Sequence, residues 1–195
     1  MAVPHFDNAN MDDKHIIARI KDGDTHLFEV LLNKYKDSIY SLCRYMLENP
    51  QDAEDAAQDT FIKAYQGLKS YSSTASFYTW LYRIAVNTCL DYKRKSSFLS
   101  LFFFTDKENQ IEYFPSQAPS PESAYATSHS MHALKKALNN LSTKLRAVIV
   151  LNELEGLSYE EIAEILDVSV GTVKSRISRA REELRKNMQK ITEQK

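Results

Sequence analysis

Between residues 157 and 181 the chain has room for little except two short helices and the turn that joins them. Ser158 followed three residues later by Glu161 is a capping box, a reciprocal pairing of side chains and backbone that starts a helix. Tyr159, Ile162, Ala163 and Leu166 recur at helical spacing and give that helix one apolar face. Residues 167–170 form the turn. Asp167 stands where glycine is frequent, and its short side chain tolerates the left-handed backbone such a turn needs. In the second helix Val173, Ile177, Ala180 and Leu184 fall on one side at about 100° per residue. Gly171, Ser175, Ser178, Arg179 and Glu182 point the other way, with Thr172, Lys174 and Arg176 on the flanks. The bland alternative is a solvated helix of an ordinary bundle. Cap, turn and sorted faces together favour a helix-turn-helix, whose second member places small polar and basic side chains in a major groove.

The rest of the chain holds few helix breakers. Four glycines and five prolines in 195 residues argue for an all-α protein. Apolar spacing predicts helices over residues 12–21, 26–47, 52–68 and 77–95, enough for one small bundle. Residues 96–128 lose the helical period and contain Pro115, Pro119 and Pro121, so they read as a flexible linker. The run Phe98-Leu99-Ser100-Leu101-Phe102-Phe103-Phe104 is unusually apolar for a linker and is expected to pack back on the first bundle or, less readily, on a partner. Helices over 131–140 and 142–155 precede the helix-turn-helix. The expected organisation is two small helical domains, residues 1–96 and 129–195, joined by a linker over 97–128.

Formal net charge is −1, low for a nucleic-acid binder, but the charge is segregated. From Val168 onward eight Lys or Arg face three Glu, whereas residues 48–59 carry five acids and no base. Separate basic and acidic patches suggest a protein partner as well as a nucleic acid. Cys43 and Cys89 sit in apolar helical patterns and show no metal spacing, so they are expected to be buried free thiols of a reducing cytosol. The five histidines are scattered. His129 and His132 share helical spacing but lack companion ligands, and are expected at the surface. No catalytic residue, metal ligand set or cofactor site is expected. No signal peptide is visible and no apolar run could span a bilayer, which leads to an expectation of a cytoplasmic protein with no membrane insertion of its own.

Two further helices carry sorted faces. In the fourth, Trp80, Arg83, Asn87, Asp91 and Arg94 fall in one quadrant, with Leu81, Tyr82, Ala85, Val86 and Cys89 on the other side. An aromatic ring among amide and guanidinium groups suits single-stranded or melted nucleic acid. The competing reading, with Trp80 as a bundle plug and a solvated stripe, fits the pattern equally well. In the third helix Ala53, Ala57, Thr60, Phe61 and Ala64 face inward. Asp52, Asp55, Gln58, Asp59, Ile62 and Gln66 face outward, a plausible docking face for a basic protein. Acids in a first helical turn also favour the macrodipole, which accounts for part of the pattern without a partner.

The runs Asp52-Ala53-Glu54-Asp55-Ala56-Ala57-Gln58-Asp59-Thr60-Phe61-Ile62-Lys63-Ala64-Tyr65 and Phe77-Tyr78-Thr79-Trp80-Leu81-Tyr82-Arg83-Ile84-Ala85-Val86-Asn87 resemble region 2 of extracytoplasmic-function sigma factors. Leu157-Ser158-Tyr159-Glu160-Glu161-Ile162-Ala163 and Gly171-Thr172-Val173-Lys174-Ser175-Arg176 resemble their region 4. The resemblance implies a transcription initiation factor whose partners are core RNA polymerase (the β′ clamp helices and the β subunit), promoter DNA and an anti-sigma protein. It implies polymerase docking through Asp52, Asp55, Gln58, Asp59 and Ile62. It places minus-ten recognition and melting on Tyr71, Ser72, Ser73, Trp80, Arg83 and Asn87. Minus-thirty-five recognition falls to Thr172, Lys174, Ser175, Arg176, Ser178 and Arg179. The residues alone leave two other readings open: a helix-turn-helix regulator whose first bundle senses a ligand or dimerises, and a nucleic-acid-processing enzyme. Binding to core polymerase separates the first from these, and a nuclease or ATPase assay tests the last.

Overall fold

The computed structural model describes residues 12–72, 74–102, 131 and 133–193, with residues 97–102 and 192 as helical backbone alone. All regular structure among them is helical. Helix α1 spans Asp13–Lys21, α2 Phe28–Met46, α3 Pro50–Gly67 and α4 Phe77–Phe102. Helix α5 covers residues 133–139. Helix α6, Thr143–Ile149, widens into a π-helical turn over Val150–Leu154 and is followed by α7, Tyr159–Leu166, and α8, Val170–Glu193.

Local chemistry sets most of the helix ends. Asn49 accepts a hydrogen bond from the Gln51 backbone N–H at 2.8 Å, and Pro50 occupies the first position of α3, where its missing N–H costs nothing. Ser76 does the same for α4 by accepting from Thr79 N–H at 3.0 Å. Helices α2, α3 and α4 enclose a core of Leu31, Ile39, Leu42, Met46, Ala56 and Leu81. Cys43 and Cys89 meet inside it as free thiols, with sulfurs 3.6 Å apart. The π turn ends at Gly156, whose φ of +70° lets the Leu157 N–H return to the Leu151 carbonyl at 3.0 Å.

The helix-turn-helix forms as the sequence predicts. Ser158 Oγ and Glu161 complete the capping box of α7, and Asp167 adopts φ 52°, ψ 55°. It is the one non-glycine with positive φ among the described residues. Val173, Ile177 and Ala180 are buried and Leu184 packs against the same core. The fourth helix departs from expectation: it runs on to Phe102 instead of stopping at residue 95. Residues 96–102 hold no proline or glycine, so nothing in their backbone chemistry ends a helix there. The rest of the expected linker, with Phe103 and Phe104, lies outside the described residues, as do His129 and His132. The packing proposed for the phenylalanine run is likewise outside them.

The capping box gives a direct stability test. Ser158→Ala removes an acceptor for the Glu161 backbone N–H, and the thermal midpoint is expected to fall by the equivalent of about 1 kcal/mol. Scanning calorimetry of the variant against its parent measures it.

Candidate nucleic-acid interface

Burial of Val173, Ile177 and Ala180 forces the opposite face of α8 outward. Lys174, Ser175, Ser178 and Arg179 are exposed there, while Thr172 and Arg176 are half-buried. Ser169 caps the helix by accepting from Thr172 N–H at 3.1 Å and lies 2.9 Å from Thr172 Oγ1. Ser175 Oγ donates back to the Thr172 carbonyl at 2.9 Å. The four exposed residues thus form one continuous stripe of short hydroxyls and long cations. Arg176 is turned away from it, toward a cleft of about 260 Å³ lined also by Val86, Leu90, Ala147 and Leu166.

On α3, Gln58 and Ile62 are exposed, Ile62 by 53%, and Asp52, Asp55 and Asp59 are half-buried beside them. Tyr92 of α4 donates to Asp59 Oδ2 at 2.9 Å. Desolvation, this hydrogen bond, and the charges of Asp59, Asp55 and Asp52 push its phenol up to about 12. Three carboxylates therefore act on one spot, and the sequence-predicted docking residues stand together.

The minus-ten candidates divide into two kinds. Ser72 is exposed, with its hydroxyl 3.2 Å from Thr74 Oγ1, and Asn87 is exposed on α4. Ser73 lies outside the described residues. Tyr71 is 5% exposed, so its ring belongs to the core, and its hydroxyl donates across the loop to the Ala75 carbonyl at 2.6 Å. Trp80 is half-buried, with ring centroids 5.0 Å from Tyr71 and 5.7 Å from Phe77. The plug reading of Trp80 thus describes its packing. It also explains Gly67: a Cβ there would come within 3.2 Å of Trp80 Cζ2.

Arg83 reaches out of the first domain altogether. Its Nη2 donates to the Glu164 carbonyl of α7 at 2.6 Å, which ties the α4 stripe to the helix-turn-helix. Further polar contacts cross the same seam. Tyr82 donates to Glu155 Oε2 at 2.6 Å. Arg146 of α6, wholly buried, donates from Nη1 to the Met46 carbonyl of α2 at 2.9 Å, and from Nη2 to the Asn139 carbonyl at 2.6 Å. Glu48, held by Lys93 at 2.9 Å, lies 3.7 Å from the same guanidinium. The closed arrangement therefore occupies Arg83, and sequence periodicity carried no sign of these partners.

Two chain segments match known families: residues 31–98 match Sigma-70 region 2, and residues 131–184 match Sigma-70, region 4. The ECF RNA polymerase sigma-E factor of Haemophilus influenzae is 37% identical over 188 residues, covering 93% of this chain and 97% of that one. SigW of Bacillus subtilis, an ECF RNA polymerase sigma factor, is 38% identical over 185 residues, 91% of this chain and 97% of that one. Among solved structures, the sigma factor RpoE of Bartonella quintana, in complex with the anti-sigma factor NepR, superposes with a TM-score of 0.68. It is 28% identical and covers 83% of this chain and 96% of that one.

Two seam carboxylates respond oppositely to acid. Desolvation raises Glu155, and the Tyr82 hydroxyl only partly offsets it. Its contribution to closure is thus present below the ordinary carboxylate range and lost as pH rises through the raised value. Burial also pushes Glu48 up, but Lys93 and Arg146 outweigh that and hold it below its usual range. That contribution is present at neutral pH and lost as pH falls through the lowered value. Glu155→Gln is expected to keep the domains closed at neutral pH and Glu48→Gln to loosen them, as read by energy transfer between one dye on each domain.

Proposed function

The chain belongs to the extracytoplasmic-function RNA polymerase sigma factors, and on that premise we propose a division of labour among its surfaces. Such a factor is a transcription initiation factor: it binds core RNA polymerase, directs it to promoters through minus-ten and minus-thirty-five elements, and aids melting. The α8 stripe of Lys174, Ser175, Ser178 and Arg179, with Thr172 at its start, reads the minus-thirty-five duplex from the major groove. Exposure of this stripe opposite a fully buried apolar face is the observation that supports the assignment most. Arg176, half-buried at its edge, serves a phosphate or the domain seam. The α3 face of Asp52, Asp55, Gln58, Asp59 and Ile62 docks on the β′ clamp helices. Ser72, Ser73, Arg83 and Asn87 meet the melted minus-ten strand, while Tyr71 and Trp80 support them from beneath. The two working domains are residues 1–96 and 129–195. The chain acts by binding, with no catalysis of its own, in the cytoplasm, where polymerase and promoters are.

Closure supplies the regulation in this reading. A chain whose Arg83 is held by Glu164 must open before that guanidinium meets DNA, and an anti-sigma protein that favours the closed form keeps it inactive. The Bartonella relative was solved with an anti-sigma partner, which supports a partner of that kind here.

Arg179→Ala is expected to cost about 1–3 kcal/mol on a preferred promoter and to relax its sequence preference. Binding measured across a panel of minus-thirty-five sequences tests this, and a uniform loss would make Arg179 a phosphate contact. Charge reversal at both Asp55 and Asp59 sets like charges against a basic coiled coil, worth several kcal/mol, so roughly a hundredfold or more in polymerase affinity. Retention of core polymerase by that variant in a pull-down would move the docking face elsewhere.

A further inference from the structure

Helix α1 has no part in the surfaces above, yet its last residue reaches fifty positions along the chain to the loop assigned to the melted strand. Lys21 Nζ donates to the Tyr71 carbonyl at 2.5 Å and stands 5.7 Å from the Tyr71 ring centroid. Tyr71 is the residue at which the short 3-10 turn Leu68–Ser70 passes into the loop. Its hydroxyl then spans the loop to the Ala75 carbonyl at 2.6 Å, and its ring packs on Trp80. Ser76, next in sequence, caps α4. Both ends of the loop are thus fixed, one through Tyr71 and the other through the start of α4.

From this geometry we propose that Lys21 is a positioning residue for promoter melting: it braces the Tyr71 backbone so that Ser72, next in sequence, is held ready to meet an unstacked base. The inference rests on the assignment of this loop and Asn87 to the minus-ten strand. Unstacking a base costs a few kcal/mol, and a receiving pocket offsets that only if it need not first be ordered. Lysine fits the brace as a charged donor on a long stem. It also sits in the last turn of α1, where the helix dipole favours a cation. The turn behind it is itself tied down, since Arg19 and Asp24 pair at 2.6 Å. Lys21 touches no DNA in this scheme and acts only through Tyr71.

The test uses the full chain assembled with core polymerase, on a promoter selected by that holoenzyme from a randomised pool. Transcription is compared between the intact duplex and the same promoter mismatched across the minus-ten element. Lys21→Met is expected to lower output from the duplex about tenfold, the scale of one charge-assisted hydrogen bond, and output from the mismatched template by less than about twofold. Lys21→Arg restores most of the loss. Tyr71→Phe, which keeps the ring and removes the link to Ala75, shifts the two templates in the same sense as Lys21→Met. Equal loss on both templates, or a loss that follows a lowered thermal midpoint, overturns the proposal by making Lys21 merely structural. If Lys21→Met does not fold, Tyr71→Phe decides by the same comparison. Asn87→Ala separates the two ideas. If it discriminates between the templates and the Lys21 and Tyr71 variants do not, the brace falls and the loop assignment stands. If none discriminates, both fall.

Discussion

The arrangement of the two domains turns on Arg146. A buried guanidinium stays charged, and bare desolvation would cost far more than a domain interface can supply. Its position is tenable because Nη1 finds the Met46 carbonyl, Nη2 finds the Asn139 carbonyl, and Glu48 stands 3.7 Å away. Met46 is the last residue of α2, where carbonyls lack intrahelical partners and the helix dipole is negative. An arginine from one domain thus completes the helix end of the other. Around the same seam, Arg44 Nη1, Arg83 Nε, Asn139 Oδ1 and Arg146 Nε are buried without a hydrogen-bond partner among the described residues. A seam centred on one specific, buried contact is well registered.

What could be read from the sequence was whatever depends on neighbours within a few residues. The faces of α7 and α8, the Ser158–Glu161 box and the left-handed Asp167 are local, and each appears as read. The acidic face of α3 was legible for the same reason. Periodicity says which side of a helix faces away from its own core, but not whether that side meets solvent or another element. On α4 the quadrant was right, yet its members met different fates: Trp80 packs on Gly67 and Tyr71, Arg83 reaches Glu164, and Asn87 stays exposed. Tyr71 went from a loop residue to a buried strut because its neighbours, Lys21 and Trp80, come from other helices. Arg146 gave one faint sign, a single cation within an otherwise apolar stretch over residues 145–151.

The π turn at Val150–Leu154 belongs with these long-range effects. One residue beyond α-helical register rotates everything after it by about 100°. The turn leads directly to Glu155, whose carboxylate meets Tyr82 across the seam, and to Gly156, where the chain reverses into α7. Helix–turn geometry and domain seam are therefore set by the same few residues.

That shared origin bears on how the chain can be switched. A ligand shifts a two-state equilibrium only by its difference in affinity for the two states. If Arg83 meets the promoter as proposed, DNA has such a difference, because the closed form commits its guanidinium to the Glu164 carbonyl. The hydrogen bonds described across the seam involve residues of α2 and α4, while the acidic face of α3 contacts its own domain through Tyr92 of α4. Docking through α3 alone would therefore be nearly indifferent to closure. On the proposed assignment, opening comes from contacts that engage both domains at once, as polymerase and promoter together would supply. An inhibitor faces the converse requirement: to hold the chain closed it must bridge the seam, since a protein that merely covered α3 would compete for polymerase without changing how the domains sit.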